Sequence, residues 1–269
     1  MAISERPVIS TVNYKEDGTA LLIGAQGEQV GADLEQAVAK GQATGAVGSV
    51  YGYVATAATT IVVVRATTYT EQSAALQREV VSSSANDSSA GTGTRTLRIT
   101  YYDATMAGPF TTDVTMNGTT PVSTSVSNIC FVEKIETLTV GSNGTNVGTI
   151  TLRLLSAGAT IGTIAASDGV TFWAHHYVAV GRSCFVQRAI TGVLGVSGAL
   201  FLRKHTPLVA NSFESQITVS LRTITAQPSQ TYDFSKGLWI SGPARVSLHV
   251  RPDANTAATW HGGFTFFDV

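Results

Sequence analysis

The stretch ARVSLHVR (244–251) alternates apolar and polar side chains along its whole length. Val246, Leu248 and Val250 occupy every second position, and successive side chains of a β-strand point to opposite faces. The alternation therefore predicts a strand with one face in a hydrophobic core. The same pattern predicts strands in three further segments: LRITY (97–101), TITLRLL (149–155) and QITVSLR (216–222).

Turn-forming residues separate these predicted strands. Asn117-Gly118 and Asn143-Gly144 are typical of hairpin turns, because Asn and Gly tolerate the positive φ that such turns require. Helical periodicity is nearly absent, since the one candidate helix, ADLEQAVAK (32–40), is hardly two turns long. The sequence therefore predicts an all-β chain, an antiparallel β-sandwich or jelly roll preceded by a smaller amino-terminal arm or domain.

The character of the sequence changes after the amino-terminal third. The segment EVVSSSANDSSAGTGT (79–94) has almost no large apolar side chain after Val81, so it cannot bury enough surface to offset the entropy of ordering unless a partner holds it. We therefore predict an amino-terminal arm or small docking domain over 1–78, with a buried strand at TTIVVVRATTY (59–69). A Ser/Gly-rich linker over 79–94 and a β-sandwich domain over 95–269 follow it.

The chain is poor in charge for its 269 residues. Lys and Arg number 17, Asp and Glu number 18, and charged residues make up 13% of the chain, about half the usual share of roughly 25%. No basic stripe occurs, so the sequence predicts no binding of nucleic acid through phosphate neutralisation. A nearly neutral surface has weak electrostatic repulsion between copies and suits association with other subunits.

Neither a secretory signal nor a membrane span is predicted. The first residues, MAISERPVIS (1–10), lack a charged region followed by an apolar run. The most apolar stretch, AITGVLGVSGALFL (189–202), is interrupted by Gly and shorter than the roughly 20 residues a membrane span needs. We therefore expect a soluble protein made in the cytoplasm, with no membrane partner.

Two adjacent histidines, His175 and His176 in WAHHYVAVG (173–181), are the most prominent candidates for chemistry. On a strand their side chains point to opposite faces, so they cannot bind one metal ion together. We interpret His176 as a hydrogen-bonded core residue and His175 as a surface or interface residue. Asp103 and Asp113 lie near strand ends and are a candidate carboxylate pair, of the kind that any β-rich protein offers by accident.

Other chemical signatures are missing from the sequence. It contains no GxSxG, HExxH, phosphate-loop, GxGxxG or EF-hand pattern. Cys130 and Cys184 lie in no CxxC spacing, which favours two buried free thiols over the alternative of a disulfide. Trp173, Trp239 and Trp260 are interpreted as core or subunit-interface anchors, with stacking on a saccharide as the alternative. The sequence thus predicts no catalytic, cofactor-binding or metal-binding residue.

Part of the sequence resembles structural proteins of tailed-bacteriophage virions. The likeness covers roughly residues 65–180, and its motifs form turns rather than carry chemistry. These motifs are SSANDSSAGTG (83–93), VTMNGTTPV (114–122), GSNGTNVGTI (141–150) and AHHYV (174–178). The resemblance implies a β-sandwich that assembles on a particle, as a head decoration protein or as a neck, collar or tail component. It implies no active site.

Two hypotheses about function follow. The first is a non-enzymatic virion component, made in the host cytoplasm, that forms trimers or hexamers and contacts the major capsid, portal or tail proteins. Tyr177, Trp239 and Trp260 are then the predicted interface anchors, since aromatic residues dominate interface energetics. The alternative is a receptor- or carbohydrate-binding module of a phage tail or adhesin, with clustered exposed aromatics beside Asp and Asn. An enzyme such as a depolymerase ranks third.

Overall fold

The computed structural model describes nine parts of the chain, and within them it contains nineteen β-strands and no helix. The described residues are 12–14, 20–23, 29–30, 45–56, 59–193, 197–209, 212–223, 230–253 and 257–269. The prediction of an all-β chain is confirmed. The predicted helix at 32–40 lies outside the described residues, and nothing helical in the described parts is long and apolar enough to span a membrane.

The strands are numbered in chain order. Their bounds are β1 (Val12–Tyr14), β2 (Ala20–Ile23), β3 (Gln29–Val30), β4 (Ala46–Thr56), β5 (Val62–Val63), β6 (Arg78–Ser82), β7 (Thr94–Tyr102), β8 (Phe110–Thr115), β9 (Val122–Ser123), β10 (Phe131–Val140), β11 (Ile150–Leu154), β12 (Thr160–Ile164), β13 (His175–Val178), β14 (Ser183–Val193), β15 (Gly198–Val209), β16 (Ser212–Thr223), β17 (Gln230–Ser241), β18 (Ala244–Pro252) and β19 (Ala258–Asp268).

These strands form five sheets in which every named pairing is antiparallel. The sheet orders are β1-β2-β3, β10-β7-β8, β12-β11-β6-β9, β13-β18-β15-β16 with β5 on β18, and β17-β14-β19-β4. Antiparallel sheets that pack face to face around apolar side chains are the architecture of a β-sandwich. The predicted fold class is therefore observed.

The stretch ARVSLHVR forms most of β18. Its apolar face is buried as its alternation predicted, but its polar face is buried as well. Val246, Leu248 and Val250 are fully buried, as predicted. Ser247 and His249 on the opposite face are buried too. Ser247 Oγ contacts the rings of His205 and His249, and this face borders a polar cavity. The alternation of apolar and polar residues predicted the strand, but it did not predict that the polar face would be buried.

Buried apolar side chains form two clusters. The first core comprises those between Tyr69 and Ile164, together with Trp173, Tyr177 and Ala179. The second core comprises Val64, Ala174, Val178 and most of those between Cys184 and Phe266. Strand β13 therefore contributes alternate residues to the two cores and separates them. Both of its faces are covered, which explains why all four of its residues are buried.

The first core is inserted in sequence between parts of the second. The chain leaves the second core after Val64 and returns to it at Ala174, and the two crossing points are hydrogen-bonded to each other. Ala66 N donates to Phe172 O over 3.0 Å, and Ala174 N donates to Val64 O over 3.0 Å. The predicted sandwich over 95–269 thus contains residues of two cores rather than one.

The predicted amino-terminal unit over 1–78 is joined to the rest by a sheet. Its strand β4 pairs with β19 through eleven residue pairs, from Ala46↔Asp268 to Thr56↔Ala258. A docking arm among the residues before β4 stays a prediction.

The predicted linker over 79–94 begins as strand β6 and continues as a loop with internal partners. Val80 belongs to the first core, and the side chain of Asp87 is fully buried. The sequence predicted a loop or linker here unless a partner molecule holds the segment, because it lacks large apolar residues. One buried carboxylate supplies the anchor instead. The division of the chain into domains at this segment stays a prediction.

Candidate functional site

Two of the turn motifs quoted above, SSANDSSAGTG (83–93) and GSNGTNVGTI (141–150), meet at the carboxylate of Asp87. Its Oδ1 accepts hydrogen bonds from the backbone N–H groups of Thr94 (2.8 Å) and Val147 (2.9 Å). Its Oδ2 accepts from Gly148 N (2.8 Å) and from Ser82 Oγ (2.6 Å). A carboxylate with four donors is fully satisfied although it is buried. The motifs SSANDSSAGTG and GSNGTNVGTI therefore form one structural junction.

The third motif, VTMNGTTPV, joins the same junction through its turn. Gly118 N donates to the backbone oxygen of Asp87 over 2.7 Å, and Ser88 forms a β-bridge with Asn117. Gly118 has φ +60° and Gly144 has φ +74°. The positive φ of the predicted Asn-Gly turns is confirmed, but the hairpins are not: β8 and β9 do not pair with each other, and neither do β10 and β11. The three motifs at this junction are architectural.

His175 lies on the first-core face of β13. Its Nε2 is 3.2 Å from Val132 O, and its ring packs 5.0 Å from the ring of Tyr69 and 5.5 Å from that of Trp173. Burial, with help from the nearby Arg245 charge, holds the pKa of His175 well below its usual value. The prediction that His175 is a surface or interface residue is wrong, because β13 lies between two cores.

His176 lies on the opposite face, as the alternation predicted, and is a hydrogen-bonded core residue. Its Nδ1 is 2.9 Å from Glu133 Oε1 and its Nε2 is 2.9 Å from Asp268 Oδ1, while the ring stacks on Phe266 at 3.7 Å. Burial alone would lower the pKa of His176, but the carboxylates of Glu133 and Asp268 outweigh it and raise the pKa to about 9. A buried imidazolium between two carboxylates results.

Cys184 completes the group around His176. It is the direct cross-strand partner of Asp268 in the β14–β19 ladder, and its thiol is hydrogen-bonded to that carboxylate. Burial first, and then the charges of Asp268 and Glu133, raise the pKa of Cys184 well above its usual value. Cys184 and Cys130 are both free and buried, which confirms the prediction of two buried thiols.

A cavity of about 380 Å³ opens beside this group, between the two cores. Tyr102 and Glu133 line it from the first-core side, and Phe266 and Asp268 line it from the second-core side. The group thus borders a space large enough for water and small ligands.

A second cavity, of about 290 Å³, is strongly basic. Arg65, Arg203 and Arg245 line it together with one carboxylate, Glu71. Arg245 Nη1 contacts Glu71 Oε2 at 2.6 Å, and the hydroxyl of Tyr177 donates to Glu71 Oε1 over 2.9 Å. Sequence patterns missed this cavity, because its residues come from segments that are distant in the chain.

Two neutral histidines lie at or near the wall of the basic cavity. Ser247 Oγ lies between His205 Nε2 (2.7 Å) and His249 Nε2 (2.8 Å). Burial, followed by the charges of nearby arginines, lowers the pKa of His205 to about 2 and that of His249 to about 3. Both imidazoles are therefore uncharged at neutral pH.

Two of the three predicted interface anchors are wrong. Tyr177 and Trp260 have no exposed surface, because Tyr177 packs in the first core and Trp260 in the second. Neither side chain reaches a second molecule. Trp239 is half-buried and stays a prediction as an interface anchor. Trp173 is a core anchor whose Nε1 donates to Thr67 Oγ1 over 3.1 Å.

The candidate carboxylate pair Asp103 and Asp113 has no catalytic arrangement. Asp113 binds Arg98 through two contacts of 2.8 and 2.9 Å at the surface. Asp103 Oδ1 accepts from the backbone N–H groups of Thr105 and Ala107 in its own turn. Each carboxylate has a local structural role.

The sheet β17-β14-β19-β4 has a face that turns away from the second core, here called the outer face. Register places Val47, Phe267, Phe185 and Trp239 in one row across this face, in which Phe267 is buried, and Tyr51, Gly263 and Ile190 in another. The exposed fractions are 52% for Val47, 48% for Tyr51 and 39% for Ile190. The outer face therefore presents large apolar side chains to solvent.

Aromatic rings cluster at one end of the outer face. The ring of His261 lies 6.5 Å from that of Tyr51, with which it stacks, and 6.0 Å from that of Tyr53. Tyr53 also contacts Phe172 at 5.7 Å. Partial burial first, and then Asp168 as charge and hydrogen-bond partner, raise the pKa of Tyr53. This aromatic ledge has an acidic side chain beside it.

No family model matches the sequence. No curated protein matches it either. Among solved structures, the chain is similar to infectious bursal disease virus of the Gx strain, at 9% identity and a TM-score of 0.28 over 78% of this chain and 56% of that one. The Gt strain matches at 9% identity and a TM-score of 0.30 over 84% and 73% of the two chains.

A third similar structure is the VP2 subviral particle of infectious bursal disease virus. It matches at 10% identity and a TM-score of 0.28 over 83% of this chain and 72% of that chain. The chain thus spans just over half the length of the Gx-strain chain. TM-scores of this size carry no conclusion about function.

Proposed function

We propose that this chain is a non-enzymatic structural component of a phage virion, which forms homo-oligomers on the particle in a head-decoration, cement or neck-collar role. The observation that carries the proposal is the outer face. Val47, Tyr51 and Ile190 expose between 39% and 52% of their surface on one sheet face. Large apolar side chains exposed together on one sheet face favour association with another protein surface.

A second copy of the chain is the occupant that fits the outer face best. The chain has 17 basic and 18 acidic residues and a net charge of −1, so copies repel each other little. Strand β4 lies at the end of its sheet order and is eleven residues long. Long edge strands pair readily with another chain unless they are blocked. In a closed ring of identical subunits, a neighbouring copy covers such a face on every subunit.

The resemblance to virion proteins supports the same proposal. Three of the four motifs that carry it build the junction around Asp87, which organises loops of the first core. A fold defined by turns and buried polar junctions suits a subunit whose work is to hold its shape. The partners would be the major capsid, portal or tail proteins, with trimers or hexamers as the assembly.

Oligomeric state tests the proposal directly. Size-exclusion chromatography with light scattering of the full chain should give a closed oligomer, and Val47→Asp combined with Ile190→Asp should shift it to monomer. The matched control is Leu138→Asp, because Leu138 is 42% exposed on β10 of the first core. A wild-type monomer at micromolar concentration, or equal effects of the two substitutions, would contradict the proposal. Imaging of purified particles with labelled subunits then tests virion placement.

The aromatic ledge favours a second candidate, a carbohydrate- or receptor-binding module. Tyr51 and His261 form an exposed stacked pair, and Asp168 lies beside the neighbouring Tyr53. Sugar-binding surfaces combine aromatic faces with polar side chains. A glycan array should then show a saturable hit that Tyr51→Ala removes and Phe110→Ala, at an exposed aromatic of β8, retains. An array without any hit excludes this candidate.

A further inference from the structure

Three chemically different ligand atoms meet where β13, β14 and β19 come together. The imidazole of His176, the thiol of Cys184 and a carboxylate oxygen of Asp268 all lie within 4.8 Å of one another. The positions are well defined, because Cys184 and Asp268 are direct ladder partners and Phe266 stacks on the His176 ring. We propose that this group binds a zinc ion, with His176, Cys184 and Asp268 as its three protein ligands.

The donor set fits zinc better than it fits other common cations. Nitrogen, sulfur and carboxylate oxygen are the three ligand types that Zn²⁺ takes in proteins, whereas Mg²⁺ and Ca²⁺ require oxygen. Bond lengths of about 2.0 to 2.3 Å in a tetrahedron separate neighbouring ligand atoms by about 3.3 to 3.6 Å. The separation between His176 Nε2 and Asp268 Oδ1 is 2.9 Å. All three ligand atoms lie within 4.8 Å of one another, and the side chain of Asp268 is 30% exposed, so it has room to rotate away from His176 toward the tetrahedral spacing.

Glu133 holds the imidazole in the orientation that a metal ligand needs. Its Oε1 faces Nδ1 of His176 at 2.9 Å, so Nδ1–H donates to the carboxylate and Nε2 is directed to the metal position. Its Oε2 accepts from Tyr177 N over 2.8 Å, which fixes the carboxylate itself. A carboxylate on the outer nitrogen of a ligating histidine is the usual second layer of zinc sites.

Charge and access also agree with a zinc ion. The ion replaces the Nε2 proton of His176 and the thiol proton of Cys184, so two protons leave, two positive charges enter, and buried net charge changes little. The cavity of about 380 Å³ borders His176 and Asp268 and has room for a water molecule as fourth ligand. Three protein ligands with an open fourth position is an established arrangement for Zn²⁺.

Cobalt titration of the full purified chain tests the site, because Co²⁺ replaces Zn²⁺ and reports its ligands by colour. After treatment with a chelator, the wild-type chain should develop a thiolate-to-cobalt charge-transfer band that saturates at one equivalent, and Zn²⁺ should bleach it. Cys184→Ser should abolish the band. Cys130→Ser is the matched control, since Cys130 is the other buried thiol, and it should retain the band.

Two further variants keep the test decisive if Cys184→Ser does not fold. Asp268→Asn should keep the charge-transfer band and weaken cobalt affinity. Glu133→Gln should keep it and weaken affinity about 10- to 100-fold, as the loss of such second-layer partners does. A wild-type chain without a saturable band overturns the proposal, and so does a band that survives Cys184→Ser. The measurement uses the isolated chain, so its outcome is independent of the virion role.

Discussion

From β14 onward the strands around the second core are nine to twelve residues long, whereas most strands of the first core have six residues or fewer. Long strands satisfy their backbone groups in continuous ladders. Short strands leave more backbone in loops, and those groups need other partners. The first core meets this need with buried carboxylates: Asp87 accepts four hydrogen bonds, and Glu79 binds Arg153 Nε at 2.7 Å and two backbone N–H groups.

Removal of the Asp87 carboxylate tests this difference with the largest expected effect. Asp87→Ala leaves three backbone N–H groups and the Ser82 hydroxyl buried without their acceptor. We expect the free energy of unfolding to fall by about 3 to 5 kcal/mol, measured by urea denaturation.

The control for Asp87→Ala is Asp113→Ala, which removes an exposed partner of Arg98 and should cost less than about 1 kcal/mol. Similar losses for the two variants would show that the first core does not depend on its buried carboxylate.

Each core also packs a tryptophan against a glycine, and the two sites should differ in tolerance. A methyl group on Gly162 would overlap the Trp173 indole, and one on Gly198 would overlap the Trp260 indole. At Gly198 the methyl would also lie 2.7 Å from the backbone oxygen of Arg251, which cannot move aside.

We therefore expect Gly198→Ala to cost about 3 kcal/mol and Gly162→Ala about 1 to 2 kcal/mol in thermal or urea unfolding. The reverse order would mean that the second core accommodates an added methyl group more easily than the first core.

Acid should lower the free energy of unfolding through the neutral histidines of the strands around the second core. His249 has a pKa of about 3 in the folded chain, against about 6.5 for an unfolded histidine. The unfolded chain therefore binds more protons between these values, so the free energy of unfolding falls as pH falls from about 6.5 to about 3.

His249→Gln should reduce the slope of stability against pH by at most about 1.4 kcal/mol per pH unit in this window. Urea denaturation at a series of pH values measures it. Equal slopes for the variant and the wild type would remove His249 as a source of acid sensitivity.

The smallest predicted effect concerns a hydrogen bond between the first core and strand β13, which separates the two cores. Tyr102 of the first core donates its hydroxyl to Tyr177 O on β13 over 2.8 Å. Tyr102→Phe should lower the free energy of unfolding by about 1 kcal/mol. Tyr101→Phe is the control, since Tyr101 binds Asn128 within the first region. If only Tyr102→Phe separates the unfolding transition into two steps, this hydrogen bond couples the two cores.

Local patterns in the sequence identified the alternating strands, but of the buried strand predicted over 59–69 only Val62–Val63 (β5) is a strand. Leu97, Ile99 and Tyr101 are buried in β7 as their alternation predicted, because a strand's faces depend on period alone. The positive φ of Gly118 and Gly144 was equally predictable, but the strands on either side of these turns do not form hairpins. Burial of the neighbouring histidines on opposite faces followed from the same rule, except that both faces of β13 proved to be covered.

The sites were not predictable from local patterns, because their residues are far apart in the chain. Asp87 and Val147 are 60 positions apart, and His176 and Asp268 are 92 apart. No spacing motif spans such distances. The aromatic character of Tyr177 and Trp260 correctly indicated burial, but it did not say whether a core or a second subunit would cover them.

The insertion of the first core has a consequence for how the chain closes its last sheet. Strand β4 must find β19, whose partner residues Thr56 and Ala258 are separated by most of the sequence. The ends of the insertion are bonded to each other at Val64 and Ala174, so an already folded insertion acts as a short connector. Loop-closure entropy grows with the length of flexible chain. Early folding of the insertion would therefore shorten the search for the final pairing and speed it.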